Sequence, residues 1–256
     1  LYQMLSKIFG GKGEDSPEFQ QLVQRWDSFL SKIKSRYQEV LQQSEEPLNG
    51  VIENLQYDNV IIHNIKTGLH NQTVEQLSAK TDEGWKKMES EMSKIGVSWD
   101  LITKQHKKAD EMKQWLALEF QKFEVKLYAD AARKILDNVK KHIDLNKLHS
   151  CTQCAGELPI KIYSFMAVNL KCDSCGSVNT YQPDDRIRAL EYYVLNNLAE
   201  EHAFPAKIKA RTDKNAQKEY YQLYYGYLIE NIPEKKEFYE RDMNERINNP
   251  MFSIGF

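Results

Sequence analysis

Between Val97 and Ala155 the chain contains neither glycine nor proline. That absence constrains its fold more than any other feature. Nothing in the stretch frees φ or removes a backbone donor, so nothing local ends a helix. Trp99, Ile102, His106, Ala109, Met112, Leu116, Phe120, Phe123, Leu127, Ala131, Ile135, Val139 and Ile143 recur there at helical steps. Residues so spaced share one face of an α-helix. A helix of this length reaches roughly 70 Å at ~1.5 Å per residue. It is too long for a compact globule and must lie against partner helices in a hairpin or bundle. The Trp, Phe and Met side chains of the stripe are read as helix-to-helix core.

The preceding sequence supplies the partners. Ser16 and Pro17 form an N-cap and first-turn signal. After them Phe19, Leu22, Val23, Trp26, Leu30, Ile33, Tyr37, Val40 and Leu41 form a second stripe. Pro47 and Gly50 mark a break. The segment 51–73 carries Asn, β-branched residues and Gly68, and reads as helix or as helix with a break. From Val74 the signal firms, with Leu77, Thr81, Trp85, Met88, Met92 and Ile95 stepping by threes and fours as in a coiled-coil seam. Gly96 ends that helix and Ser98 caps the next. Past residue 183 helices resume: one from 184 to Pro205, one over 213–231, and one from Pro233 to Pro250.

Charged residues make up 28% of the 256 residues, and the formal net charge is −2. Such a balance argues against a surface that embraces nucleic acid throughout. No window approaches the ~18 to 20 apolar residues of a membrane span. The opening "LYQMLSKIFGG" lacks the apolar core and cleavage site of an export signal, and Met4 is read as the native start. The expected location is cytoplasmic, where thiols stay reduced and suit metal binding better than disulfides.

All four cysteines fall in "CTQCAGELPIKIYSFMAVNLKCDSCG", in the pattern C-x2-C-x17-C-x2-C. A C-x-x-C turn lets two thiolates converge on one cation while backbone amides point at the sulfurs. Two such turns, joined by the β-like runs "LPIKIY", "MAVNLKC" and "GSVNTYQP", complete a tetrahedral S4 site. Sulfur-rich tetrahedral sites select zinc or iron. Gly176 follows the second pair directly, as a tight turn requires; the first pair has Ala155 there and Gly156 one residue later. A redox pair would need one C-x-x-C at a strand-to-helix junction. A catalytic zinc would keep an open position, with His or carboxylate among its ligands. His149 is read as a residue beside the site or on the surface.

Residues 151–183, and above all "LKCDSCGSVNTYQP", resemble a zinc ribbon. The resemblance implies a small β module with Zn2+ on Cys151, Cys154, Cys172 and Cys175. It implies no activity, because ribbons serve as contacts to DNA, RNA or protein and as plain staples.

No catalytic motif accompanies it. The six histidines form no H-E-x-x-H, and there is no G-x-S-x-G or P-loop. One further segment carries binding chemistry. Lys207, Lys209, Arg211, Lys214 and Lys218 precede Tyr220, Tyr221 and Tyr224, with Tyr225 and Tyr227 beyond. Basic groups hold phosphates and aromatic rings stack on unpaired bases. The competing reading is a solvated loop and helix start, followed by tyrosines packed between helices. The leader "MLSKIFGGK" is short and amphipathic, and reads as a flexible or body-packed segment.

The sequence therefore predicts a mostly α protein: a long antiparallel helical hairpin or bundle with a small inserted β zinc ribbon and C-terminal helices. The expected divisions are a flexible leader over 1–16, the long-helix bundle or coiled-coil hairpin over 17–150, the ribbon over 151–183, and C-terminal helices packing back over 184–256. The expected role is a non-enzymatic zinc-binding scaffold for a protein partner, a second copy of the chain included. The alternative is nucleic-acid binding through 207–227.

Overall fold

The structure is a computed structural model of the 256-residue chain, and it describes residues 13–142, 149–158, 168–182, 190–213 and 215–249. The leader over 4–12 and Lys214 lie outside the described residues. The elements in order are α1 (Pro17–Glu53), α2 (Val60–His70), a π turn (Asn71–Glu75), α3 (Gln76–Lys94) and α4 (Trp99–His142). There follow β1 (His149–Ser150), β2 (Glu157–Leu158), β3 (Val168–Lys171) and β4 (Val178–Tyr181). A second π turn (Leu190–Leu195) leads into α5 (Asn196–Lys209) and α6 (Asn215–Asn231), and a 3-10 turn (Pro233–Lys235) leads into α7 (Lys236–Asn248). The chain is mostly α with a small β insertion, as the sequence predicts. Its contacts divide it into two units, 1–49 with 63–124 and 50–62 with 125–256.

In the first unit, contacts between side chains give the helix directions. Trp26 of α1 packs on Trp85 of α3, and its Nε1 donates to the Gln105 carbonyl of α4 at 3.3 Å. Along α1 and α4, Asp27 pairs with Lys108 at 2.6 Å and Tyr37 meets Trp115 edge-on at 5.2 Å, so these two helices run parallel. Between α2–α3 and α4 the order reverses: Lys66 pairs with Glu124 and Asp82 with Lys113. Helix α1 likewise opposes α3, through Arg25 and Glu91 at 2.8 Å. The unit is an up-down-up bundle in which α1 and α4 are parallel and α3 is antiparallel to both. Seven residues of the α1 stripe, Phe19 through Val40, are buried, as are Val74, Leu77, Thr81, Trp85, Met88 and Met92.

The structure departs from the sequence reading at several points, each with a local cause. Trp99 does not join the core: it opens α4 and is 71% exposed. The buried face of α4 passes through Gln105 rather than His106, which is exposed and rests its ring on Trp85. Pro47 and Gly50 do not break α1, which runs through both. A proline in a helix costs about 3 kcal/mol, but Leu48 and Leu55, both after Pro47, are buried and hold the last turns in place. Asn138 of α4 secures the chain just past α1, donating from Nδ2 to the Leu55 and Gln56 carbonyls at 2.6 and 3.0 Å. Pro205 similarly lies inside α5, exposed between buried Phe204 and Ala206, so Lys207 and Lys209 stand on a helix rather than a loop. The doubtful segment after residue 51 resolves into α2, with Gly68 inside it, and a π turn where Thr73 is buried. The Thr73 hydroxyl donates to the Leu69 carbonyl at 2.6 Å, a local bond that competes with the regular ladder.

In the second unit, Ala129, Ala132, Ile135 and Val139 of α4 are buried against Leu190, Val194 and Leu198. Tyr181 of β4 is packed against the same cluster. A second cluster joins α5, α6 and α7 through Ala199, Ala203, Ala206, Tyr221, Tyr225, Leu228 and Tyr239.

Candidate metal centre

Each C-x-x-C pair forms the turn of a two-stranded antiparallel hairpin, Cys151–Cys154 between β1 and β2 and Cys172–Cys175 between β3 and β4. The two turns are built alike. The Ala155 amide donates to the Cys151 carbonyl at 2.9 Å, and the Gly176 amide to the Cys172 carbonyl at 2.8 Å. Below them the Cys151 amide donates to the Gly156 carbonyl at 2.7 Å, and the Cys172 amide to the Ser177 carbonyl at 2.8 Å. Both turns need a left-handed residue after the second cysteine. Gly176 takes it at φ +74°, and Ala155 takes the same conformation at φ +59° despite its Cβ. The missing glycine therefore leaves the turn unchanged and puts strain into it.

The two hairpins bring the four sulfurs within 4.8 Å of one another. Cys151 Sγ lies 3.7 Å from Cys175 Sγ, and Cys154 Sγ lies 3.6 Å from Cys172 Sγ. Four thiolates at ~2.3 Å from one tetrahedral ion would stand about 3.8 Å apart, so the spacing fits a single metal ion. Cys151 and Cys172 are buried; Cys154 and Cys175 are exposed.

The surroundings prepare some sulfurs for negative charge and deny it to another. The Ser177 hydroxyl sits 3.1 Å from Cys151 Sγ and 3.0 Å from Cys175 Sγ. That hydroxyl, with the Cys154 and Gln153 amides, pulls the Cys151 thiol down to about 5. The Ser177 hydroxyl and amide also lower Cys175. At Cys154 the Gly156 amide pulls down, but crowding by the Cys175 and Cys172 sulfurs prevails and pushes the thiol up to about 12. Such a cluster cannot ionise completely by itself. A cation bound at its centre would take the place of the retained protons.

Ser177 and Asn179 are the residues that sequence reasoning missed. Asn179 is buried, accepts from the Thr152 amide at 2.9 Å and its hydroxyl at 3.0 Å, and points Nδ2 at Cys151 Sγ at 3.5 Å. It ties the first turn to the second hairpin. The signal was the two-residue step in "GSVNTY", which puts both side chains on one face of the strand. His149 pairs with Leu158 in the first hairpin and packs edge-on against Tyr181 at 4.9 Å. It is not part of the converging sulfur group.

The basic and tyrosine-rich segment is distributed differently. Lys207 Nζ donates to Glu200 Oε1 at 2.6 Å and stands 5.4 Å over the Tyr220 ring. Lys209 is exposed and 3.6 Å from Glu219, Arg211 is half-buried, and Lys218 is exposed. Tyr220 and Tyr221 are buried, and Tyr224 is half-buried with its hydroxyl donating to Asn196 Oδ1 at 3.2 Å. The structure thus gathers the tyrosines into the α5–α6–α7 cluster and leaves Lys209 and Lys218 at the surface.

No protein-family model, curated protein or solved structure matches the chain. Among the described residues, no helix is long and apolar enough to cross a membrane.

Proposed function

We propose that the chain is a non-enzymatic helical scaffold for a protein partner, and that one structural Zn2+ on Cys151, Cys154, Cys172 and Cys175 staples a ribbon module within it. The convergence of four sulfurs at tetrahedral spacing carries this reading. Four protein ligands complete a zinc shell and leave no position for a substrate. Two short hairpins bury too little to fold alone, so the ion has structural work to do. A protein partner is favoured over nucleic acid because Lys207 is already paired with Glu200 and the leading tyrosines lie in a core. Val178, 66% exposed on β4 beside the second turn, offers an apolar contact.

Cobalt substitution tests the closed shell. The expected outcome is an intense thiolate–cobalt spectrum that added azide leaves unchanged. A spectrum that shifts with azide means an exchangeable position and would favour a catalytic metal. The scaffold role is tested by capture of partners from the native source with wild type and Val178→Glu. A partner that wild type retains and the still zinc-loaded variant loses supports it; a nucleic acid recovered with both contradicts it.

A further inference from the structure

A hollow of about 420 Å3 lies among the second π turn, α5, α6 and α7, all within the second unit. Four of its tyrosine hydroxyls are already committed. The Tyr220 hydroxyl donates to Glu200 Oε2 at 2.5 Å, the Tyr225 hydroxyl to Asp242, and the Tyr239 hydroxyl to Glu191 Oε1 at 3.4 Å. The Tyr224 hydroxyl is already given to Asn196. Burial first, and then the carboxylates, hold the Tyr220, Tyr225 and Tyr239 protons on well above the ordinary phenol range. Once these donors are committed, the walls present acceptor lone pairs and ring faces. The Arg246 guanidinium, also in the lining, is held by Asp242 at 3.4 Å.

Glu191 adds the observation that points to a ligand. It lines the hollow, is only 6% exposed, and accepts from Lys235 at Oε1. Its Oε2 is buried and has no hydrogen-bond partner among the described residues. An unsatisfied buried charged acceptor is costly and calls for a donor. Glu191 also sits in a π turn, an irregularity frequent at functional sites. Beside it in the lining, Tyr192 and Phe238 are large rings left 59% and 52% exposed.

The missing donor is an organic cation. An anion would meet Glu191, Glu200 and Asp242. A bare metal ion needs converging ligands, and among the described residues only the four cysteines converge in that way. An ammonium group on an alkyl chain satisfies both features: it donates to a carboxylate, and its charge lies on aromatic faces. We propose that the juxtaposition of Glu191 Oε2 with the rings of Tyr192, Tyr224, Phe238 and Tyr239 is a binding site for an alkylammonium group, carried by a free amine or by a lysine side chain of a partner protein. The site is independent of the metal centre.

The test is titration of the full, zinc-loaded chain with butylammonium chloride, against 1-butanol at matched ionic strength, read by calorimetry and tyrosine NMR signals. Butylammonium is expected to bind and shift the tyrosine signals, and butanol is expected not to. Glu191→Gln should weaken binding roughly tenfold or more, the scale of one lost charge-assisted contact. Tyr192→Ala, at an exposed position that leaves the helices intact, should also weaken it. A lysine-containing peptide and its acetylated form separate the sources: tighter binding of the unmodified peptide than of butylammonium assigns the site to a partner protein, and the reverse assigns it to a free amine. Equal binding of butanol, no binding of butylammonium at millimolar concentration, or full affinity in folded Tyr192→Ala would overturn the proposal.

Discussion

Ala155 is the residue at which the metal turns are least comfortable. Its left-handed backbone, φ +59°, costs an L-residue about 1 kcal/mol or somewhat more, and Gly176 carries no such penalty in the matching turn. Ala155→Gly should therefore strengthen metal retention by about that amount, and Gly176→Ala should weaken it similarly. Competition with a graded series of chelators reads both. Two tryptophans give an equally local contrast. Trp26 is 1% exposed and Trp99 is 71% exposed. Trp26→Ala should cost about 3 to 5 kcal/mol in chemical denaturation, and Trp99→Ala no more than about 0.5 kcal/mol. Both residues occupy stripe positions, so periodicity alone cannot tell them apart. Trp99 stands at the first turn of its helix, where the face is set but no opposing helix covers it. The convergence of the four sulfurs was legible because their spacing is itself the chemistry. Ser177 and Asn179 were not, because a strand face shows its meaning only when the second turn lies against it.

At the scale of elements, the helices followed their apolar spacing, and the errors gathered at Pro47 and Pro205. Local punctuation argued for ends; burial overrode it, of Leu48 and Leu55 after Pro47 and of Phe204 and Ala206 around Pro205. Pro47 is exposed and mid-helix, so Pro47→Ala should raise thermal stability, by up to about 3 kcal/mol. The α5–α6–α7 cluster carries its own pH dependence. Burial, aided by Glu200, Asp242 and Glu191, raises the Tyr220, Tyr225 and Tyr239 hydroxyls above their unfolded value. Tyr224 is pushed up to about 12 by burial and by Glu200. A raised folded value means the folded chain holds these protons more tightly. The resulting stability is complete below the unfolded phenol value of about 10 and is lost as pH climbs beyond it. Far-ultraviolet melts should show a steady fall in midpoint above about pH 10. Tyr225→Phe should reduce that slope; an unchanged slope would contradict the assignment. In the sequence these tyrosines offered both helix packing and stacking rings. Only the positions of Glu191, Glu200 and Asp242, distant in sequence from Tyr220 to Tyr225, distinguish the two.

For the molecule as a whole, two kinds of stability are combined. The helices rest on buried apolar stripes, and in the proposed reading the hairpins rest on an ion. Structural zinc contributes an apparent ~10 to 16 kcal/mol in small peptide systems, far more than two short hairpins obtain from burial. A strong chelator should therefore erase the dispersed NMR signals of 149–158 and 168–182 and leave most of the helical circular dichroism. Acid should do the same, since protons compete for the thiolates. The central claim, one closed four-thiolate zinc site, is tested most directly by metal analysis paired with thiol titration on the native protein. The account predicts one zinc per chain and four cysteines unreactive until chelator is added. Four thiols that react at once in a folded, metal-free chain would contradict it.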